Sequence, residues 1–340
     1  MIFHAYHSHM NERNAIRFKF VFLILSCVLL NTIVGSAKDG VSQKPPKSIA
    51  NQQTFKLGDE RLVVTLIADI DPTHKANEHY ALRFDRSAAI TKVTCHGKQL
   101  INRWGMPDEF GQIGIGVLGF DDAKIGESFI KPGVGVLQMI DSGSYKSGTA
   151  FPVKAWIRTT VSQSQNQVTV TQNSPVIRGY AYQLTKHYTI TPDDGKIQIQ
   201  YQLTNTGKRD WAIEHYNHNF FTLDNQPLGP DWMIHLEYPI PSIPQSWMVM
   251  QGNELKIRMI PKSYGFLQVN ERLTAQQANL RIKHRENNMS IDMQGDSPAY
   301  RMAWFFSPDS LCPERFHLIK CKPDESQSWS LAYQFSAVEP

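Results

Sequence analysis

The sequence predicts an all-β fold, a large antiparallel β-sandwich. Three observations carry that prediction. Segments that alternate apolar and polar residues, or are rich in β-branched and aromatic ones, recur along most of the chain. No strand–helix–strand alternation separates them, so antiparallel sheets are expected rather than a parallel one. Neither a linker nor a fixed-period repeat interrupts residues 55–336, which therefore read as one large domain.

Residues 1–37 read as a signal peptide. Arg13, Arg17 and Lys19 precede an apolar run over 20–34, and Gly35-Ser36-Ala37 then offers small residues for cleavage. A run of about fifteen residues falls just short of the roughly 17–25 that span a bilayer, which leaves an uncleaved anchor as the alternative. Cys27, after Ile24-Leu25-Ser26, weakly resembles a lipoprotein box, but apolar residues continue beyond it. Residues 38–54 are polar, hold Pro45-Pro46 and lack periodicity, so they read as a disordered leader. The expectation is an exported protein, periplasmic or extracellular, with no stable membrane insertion after signal cleavage and a folded domain over 55–340.

Within that domain, strands are expected over 61–70, 155–162, 167–171, 180–191, 196–204, 211–221, 233–238, 280–284, 289–293, 301–306 and 329–335. Asp193-Asp194-Gly195 joins two of them as a hairpin, and Glu286-Asn287-Asn288 joins another pair. The only stretch with helical capacity is 270–278, through Ala275, Gln276, Gln277 and Ala278. The least regular interval, 97–148, is rich in glycine. Such an insertion on a rigid sandwich commonly presents functional groups.

The 340 residues carry a formal charge of +4, and removing 1–37 leaves +2. No basic run of five or more occurs, so nucleic acid is not an expected partner. Of the exported cysteines, Cys312 and Cys321 flank 315–320, a single strand that would hold them too far apart to bridge. Three free buried thiols, Cys95 included, are expected. No cysteine or histidine spacing suggests a metal, and no cofactor is implied. Asp121-Asp122 with Glu127 is weighed as a calcium site against a solvated loop, which is preferred.

The most informative stretch is Glu214-His215-Tyr216-Asn217-His218-Asn219-Phe220-Phe221. At the strand period of two, Glu214, Tyr216, His218 and Phe220 share one face, and His215, Asn217, Asn219 and Phe221 the other. One face thus joins an acid, a phenol and an imidazole. Buried polar groups without partners cost roughly 1–3 kcal/mol each, so either a hydrogen-bond network or a polar ligand must satisfy them.

Four segments in order resemble the galactose mutarotase-like superfamily, which includes the aldose 1-epimerases. They are Arg83-Phe84-Asp85-Arg86-Ser87-Ala88-Ala89-Ile90 followed by Gly97-Lys98-Gln99-Leu100, then Asn217-His218-Asn219-Phe220-Phe221-Thr222-Leu223, then Cys312-Pro313-Glu314, and finally Lys322-Pro323-Asp324-Glu325 with the strand 329–335. The epimerase segment supplying a first histidine has no counterpart. Trp104-Gly105-Met106-Pro107-Asp108-Glu109-Phe110-Gly111 stands in its place. The Asp-His-x-Phe segment that grips the sugar is missing too, which places the chain nearer an uncharacterised secreted branch with Gly229-Pro230-Asp231.

The resemblance implies a β-sandwich that binds a mono- or oligosaccharide and acts as an aldose or uronate 1-epimerase. His218 matches the acid and Glu314 the base. Mutarotation needs such a pair, one group for the anomeric hydroxyl proton and one for the ring oxygen. Arg83, Lys131, Tyr216 and Asn217 are the expected substrate-binding residues. Glu214 and His215 are expected to support them, and Trp304 to be core. Two alternatives stand beside this reading, a non-catalytic carbohydrate-binding protein and a polysaccharide lyase or hydrolase-associated sandwich, the lyase using Tyr216 with Arg83 or Lys131.

Overall fold

Alternate residues are buried along the longest strands, as a two-faced sheet requires. In Tyr182–Thr191 and Lys196–Asn205 every second side chain faces the interior. The computed structural model describes residues 52–69, 82–112 and 114–337, so the signal peptide expected over 1–37 and the leader up to residue 51 lie outside the described residues.

The chain opens with β1 (Gln52–Gly58), β2 (Leu62–Asp69), β3 (Ala89–Cys95) and β4 (Lys98–Gln99), which pair in that order as a four-stranded sheet. The insertion follows, with β5 (Asp108–Phe110), β6 (Ser128–Lys131), β7 (Gly135–Gln138) and β8 (Val153–Trp156). β6, β7 and β8 form a small sheet. Val117, Phe120, Phe129, Leu137, Met139, Tyr145 and Phe151 bury a satellite core inside the interval that reads as irregular. Next come β9 (Thr159–Ser164), β10 (Gln167–Asn173), β11 (Tyr182–Thr191), β12 (Lys196–Asn205) and β13 (Trp211–Asn217). They are followed by β14 (Trp232–Leu236), β15 (Met248–Gln251), β16 (Glu254–Ile257) and β17 (Gly265–Val269). The last strands are β18 (Leu280–His284), β19 (Met289–Gly295), β20 (Arg301–Ser307), β21 (Ser310–Cys321) and β22 (Ser326–Ala337).

Two sheets make the sandwich. The larger has ten strands in the order β15-β16-β14-β18-β19-β22-β12-β11-β10-β9, and the smaller five in the order β17-β20-β21-β13-β5. Every named pairing is antiparallel. Residues from both sheets meet in one core, with Ile199, Tyr201, Leu331 and Tyr333 from the larger facing Ile213, Met302, Trp304 and Ile319 from the smaller. The smaller sheet is buried on its other face as well. There Tyr216, Ala303 and Phe316 form one cluster, and Phe220, Phe305 and Cys312 another.

The core also holds charge. Lys186 Nζ donates to Asp85 Oδ2 at 2.6 Å, to Asp108 Oδ2 at 3.0 Å and to the Ala88 carbonyl at 2.6 Å. Asp108 further accepts from Tyr201, His215 and Asn217. Gly133 closes over this cluster with φ +79°, and a Cβ there would stand 2.7 Å from Asp85, so only glycine permits the approach.

Several expectations meet their outcome here. The hairpin at Asp193-Asp194-Gly195 forms, with a short 3-10 turn at Pro192–Asp194 and Gly195 in the left-handed region. The 270–278 stretch forms turns rather than a helix. Thr274 and Gln277 cap one another side chain to backbone, and the single turn they close gives way at once to β18. Cys312 and Cys321 lie in the one strand β21, and they and Cys95 are free, buried thiols. In the 121–127 loop, Asp122 binds Arg209 and Tyr180, and Glu127 binds Arg178.

Candidate active site

The alternation along 214–220 holds in space. Glu214, Tyr216, His218 and Phe220 lie on the outer face of the five-stranded sheet, while His215 and Asn217 turn inward to Asp108. The neighbouring strands add the same-face residues at the same period, Cys312, Glu314 and Phe316 from β21 and Arg301, Ala303 and Phe305 from β20. β5 contributes Glu109. The antiparallel register pairs His215 with His317. Carried three residues further, it sets His218 opposite Glu314, and Ala303 opposite Glu314 on the other side leaves room there.

His218 Nε2 and Glu314 Oε1 are 3.2 Å apart. Both side chains are buried, under an aromatic wall. The imidazole stacks on Phe220 at 4.0 Å between ring centres, and Phe84 and Phe305 meet it edge-on at 5.8 Å. Trp104 packs by Phe220, and exposed Tyr264 stacks on Phe305, so aromatic surface continues from the pair to solvent. His218 Nδ1 and Glu314 Oε2 have no hydrogen-bond partner.

Around the pair the charges balance. Arg83 Nε donates to Glu109 Oε2 at 2.8 Å and its Nη2 to the Tyr216 hydroxyl at 2.9 Å, while Tyr216 in turn donates to Glu109. Arg301 donates through Nε and Nη2 to the two Glu214 oxygens, at 3.1 and 2.9 Å, and Gln112 bridges Arg301 to Tyr216. Lys131 Nζ donates to the Phe110 and Gly111 carbonyls and lies 3.9 Å from Glu109 Oε1.

Burial sets the protonation of the pair. It pushes the Glu314 carboxyl up to about 8, against the pull of Arg83 and Arg301. It holds the His218 imidazole well below its ordinary range, with Arg83 adding repulsion. At neutral pH the carboxyl therefore keeps its proton and the ring is neutral, the reverse of an ionised glutamate beside an imidazolium. Tyr216 is raised well above the ordinary phenol range, first by burial, so it stays protonated.

Of the residues predicted from sequence, His218, Glu314, Arg83 and Tyr216 come together. Lys131 does not reach the pair. Its ammonium is wholly buried behind Glu109, where burial lowers it to about 8. Asn217 faces the other layer, with its amide donating to Asp108 and Met106 and accepting from Tyr333. Glu109, Arg301 and Gln112 escape sequence reasoning because Glu109 sits on a three-residue strand too short to show a period. Arg301 had a signal, a charge at the head of the otherwise apolar strand Arg301–Ser307.

No known family profile matches the chain. No curated protein is significantly similar to it in sequence. Its fold, however, is that of galactose mutarotase-like proteins. A protein from Synechocystis sp. PCC 6803 superposes with TM-score 0.55 at 13% identity, covering 88% of this chain and 100% of its own. A candidate aldose 1-epimerase from Escherichia coli K12 gives 0.52 at 13% identity, covering 84% and 100%. A galactose mutarotase-like protein from Lactobacillus casei ATCC 334 gives 0.53 at 13%, again covering 84% and 100%.

Proposed function

We propose that the protein acts on the anomeric centre of a sugar, as an aldose or uronate 1-epimerase that uses His218 and Glu314. The observation that carries this reading is the 3.2 Å contact between them, with one unpartnered atom left on each. The two oxygens that exchange protons in mutarotation, the anomeric hydroxyl and the ring oxygen, are bonded to the same carbon. An acid and a base in contact match that spacing better than groups set far apart.

The resting charge state assigns the steps. His218 takes the proton of the anomeric hydroxyl while Glu314 gives its proton to the ring oxygen, the C1 to ring-oxygen bond breaks, and the open-chain carbonyl forms. Opening leaves an imidazolium and a carboxylate. Closure on the other face of the carbonyl runs the transfers backward, with His218 as acid and Glu314 as base, and restores the starting pair. The acid and base roles that the resemblance implies are those of this second half. Arg83 and Tyr216 stand beside the pair, where they can orient hydroxyls, and the rings of Phe220 and Phe305 suit the apolar face of a pyranose.

A lyase reading needs Tyr216 as a base, and a buried phenol held protonated is unsuited to that role. A non-catalytic sugar-binding protein remains the second outcome of the test. Glu314→Gln keeps the shape of the side chain and removes its titration, so an enzyme loses rate and keeps much of its affinity. Calorimetric sugar binding, measured beside polarimetric mutarotation over a panel of aldoses and uronates, separates the two. Binding without acceleration by the wild type over the whole panel would leave the binding-protein reading in its place. We also propose export, from the signal peptide expected over 1–37. The mature N-terminus, read by mass spectrometry, tests it, and a chain retaining residues 1–37 contradicts cleavage.

A further inference from the structure

Between β21 and β22, one strand from each main sheet, lies a second cleft of about 420 Å³. It is lined by Arg272, Ser297 and Tyr300 and by the strand segments 317–320 and 327–329. Two of its residues are more than nine-tenths buried and carry ring nitrogens without hydrogen-bond partners, His317 at Nε2 and Trp329 at Nε1. Their rings lie 5.9 Å apart. His317 is fixed from its other side, where Nδ1 meets Ser297 Oγ at 3.2 Å.

Buried polar atoms are almost always partnered, and an orphaned one costs roughly 1–3 kcal/mol. Two orphans on one cleft mark a place where a ligand gains contacts that the protein lacks alone. The lining also fixes the sign of that ligand. It holds the cations Arg272 and Lys320, the donor-only Trp329 indole, the Gln327 amide and the hydroxyls of Ser297, Tyr300 and Ser328, and no carboxylate. A donor-rich, cationic lining calls for an acceptor with negative charge.

We propose that this cleft is a second ligand site, separate from the His218–Glu314 pair, that takes an oxyanion, either the carboxylate of an acidic sugar or a phosphate group. Trp329 Nε1–H donates to the anion from the cleft floor, and Arg272 and Lys320 close on it from the exposed edge. His317 lies beside it as a neutral imidazole, which burial and the nearby His215 hold well below the ordinary range. Its Nε2 donates in that tautomer.

Calorimetric titration of the full-length protein with glucuronate, inorganic phosphate and glucose at low salt tests the site. Glucuronate, phosphate or both bind and neutral glucose does not, and the one that binds identifies the source of the oxyanion. Lys320→Gln and Arg272→Gln, both at exposed positions, each weaken that binding by about tenfold, the scale of one charge-assisted hydrogen bond. Salt at roughly 0.5 M weakens it further. Trp329→Phe keeps the stacked ring and loses the donor, and also lowers affinity. The Glu314→Gln protein binds the oxyanion as the wild type does. The proposal is overturned if neither oxyanion binds, if binding survives both Lys320→Gln and Arg272→Gln, or if Glu314→Gln abolishes it. Each result leaves the mutarotation assay of the pair untouched, so the two readings fail separately.

Discussion

Arg83 joins Glu109 and Tyr216 through separate nitrogens, at 2.8 Å from Nε and 2.9 Å from Nη2. One guanidinium thus fixes a carboxylate from β5 and a phenol from β13 beside the His218–Glu314 pair. Because Tyr216 also donates to Glu109, the three groups form a closed triangle of hydrogen bonds. The arrangement presents a neutral unit to the site.

Removing the cation exposes what it neutralises. Arg83→Met leaves the wholly buried Glu109 carboxylate without its closest charge, and breaking a buried pair in this way costs about 3–5 kcal/mol. Urea unfolding should show a loss of that size. Adding Glu109→Gln should recover most of it, since the unpaired charge is then gone. A double variant no more stable than the single one contradicts the account.

Glu314 makes stability fall as pH rises. Its folded value of about 8 lies above its ordinary 4.5, so the unfolded chain releases this proton first. The contribution is fully present below 4.5 and is lost as pH climbs through about 8. Glu314→Gln cannot ionise. Compared with the wild type, the variant should therefore gain stability between pH 5 and pH 8, read from urea midpoints at the two values. A difference that stays constant contradicts the raised value.

Lys186 anchors the charge buried in the sandwich core. Lys186→Met leaves Asp85 and Asp108 facing one another without their shared cation, and we expect a loss of about 3–5 kcal/mol. Chemical denaturation checks this directly. A loss under about 1 kcal/mol would mean that the carboxylates find other partners.

The sandwich was legible in the sequence because its long strands are two-faced. β11, β12 and β22 bury every second side chain over most of their length, and that period is what the residues display. Short strands are the ones that were missed. β5 has three residues, all buried, and shows no alternation at all. The 211–221 stretch ends as a named strand at Asn217, yet its two-faced reading stays correct through Phe220, because Phe221 continues the pairing to Ile101 and Leu311. The meeting of His218 with Glu314 rests on the register between β13 and β21, which no local pattern encodes. For the same reason Lys131 and Asn217 were expected beside a ligand, since exposure and direction of a polar side chain follow from which sheet covers it. The protonation of the pair was not legible either. It arises from burial under Phe84, Phe220 and Phe305, residues brought together from three separate parts of the chain.

The central claim is that His218 and Glu314 together move protons at an anomeric carbon, and the rate of anomer interconversion tests it most directly. Polarimetry on freshly dissolved aldoses and uronates should show acceleration by the wild type with at least one sugar. With that sugar His218→Ala should be slower by roughly 10²–10⁴, the usual contribution of a proton-transfer group, while its thermal stability falls far less than after a core deletion. Equal rates for wild type and variant, with a sugar that demonstrably binds, would contradict the claim.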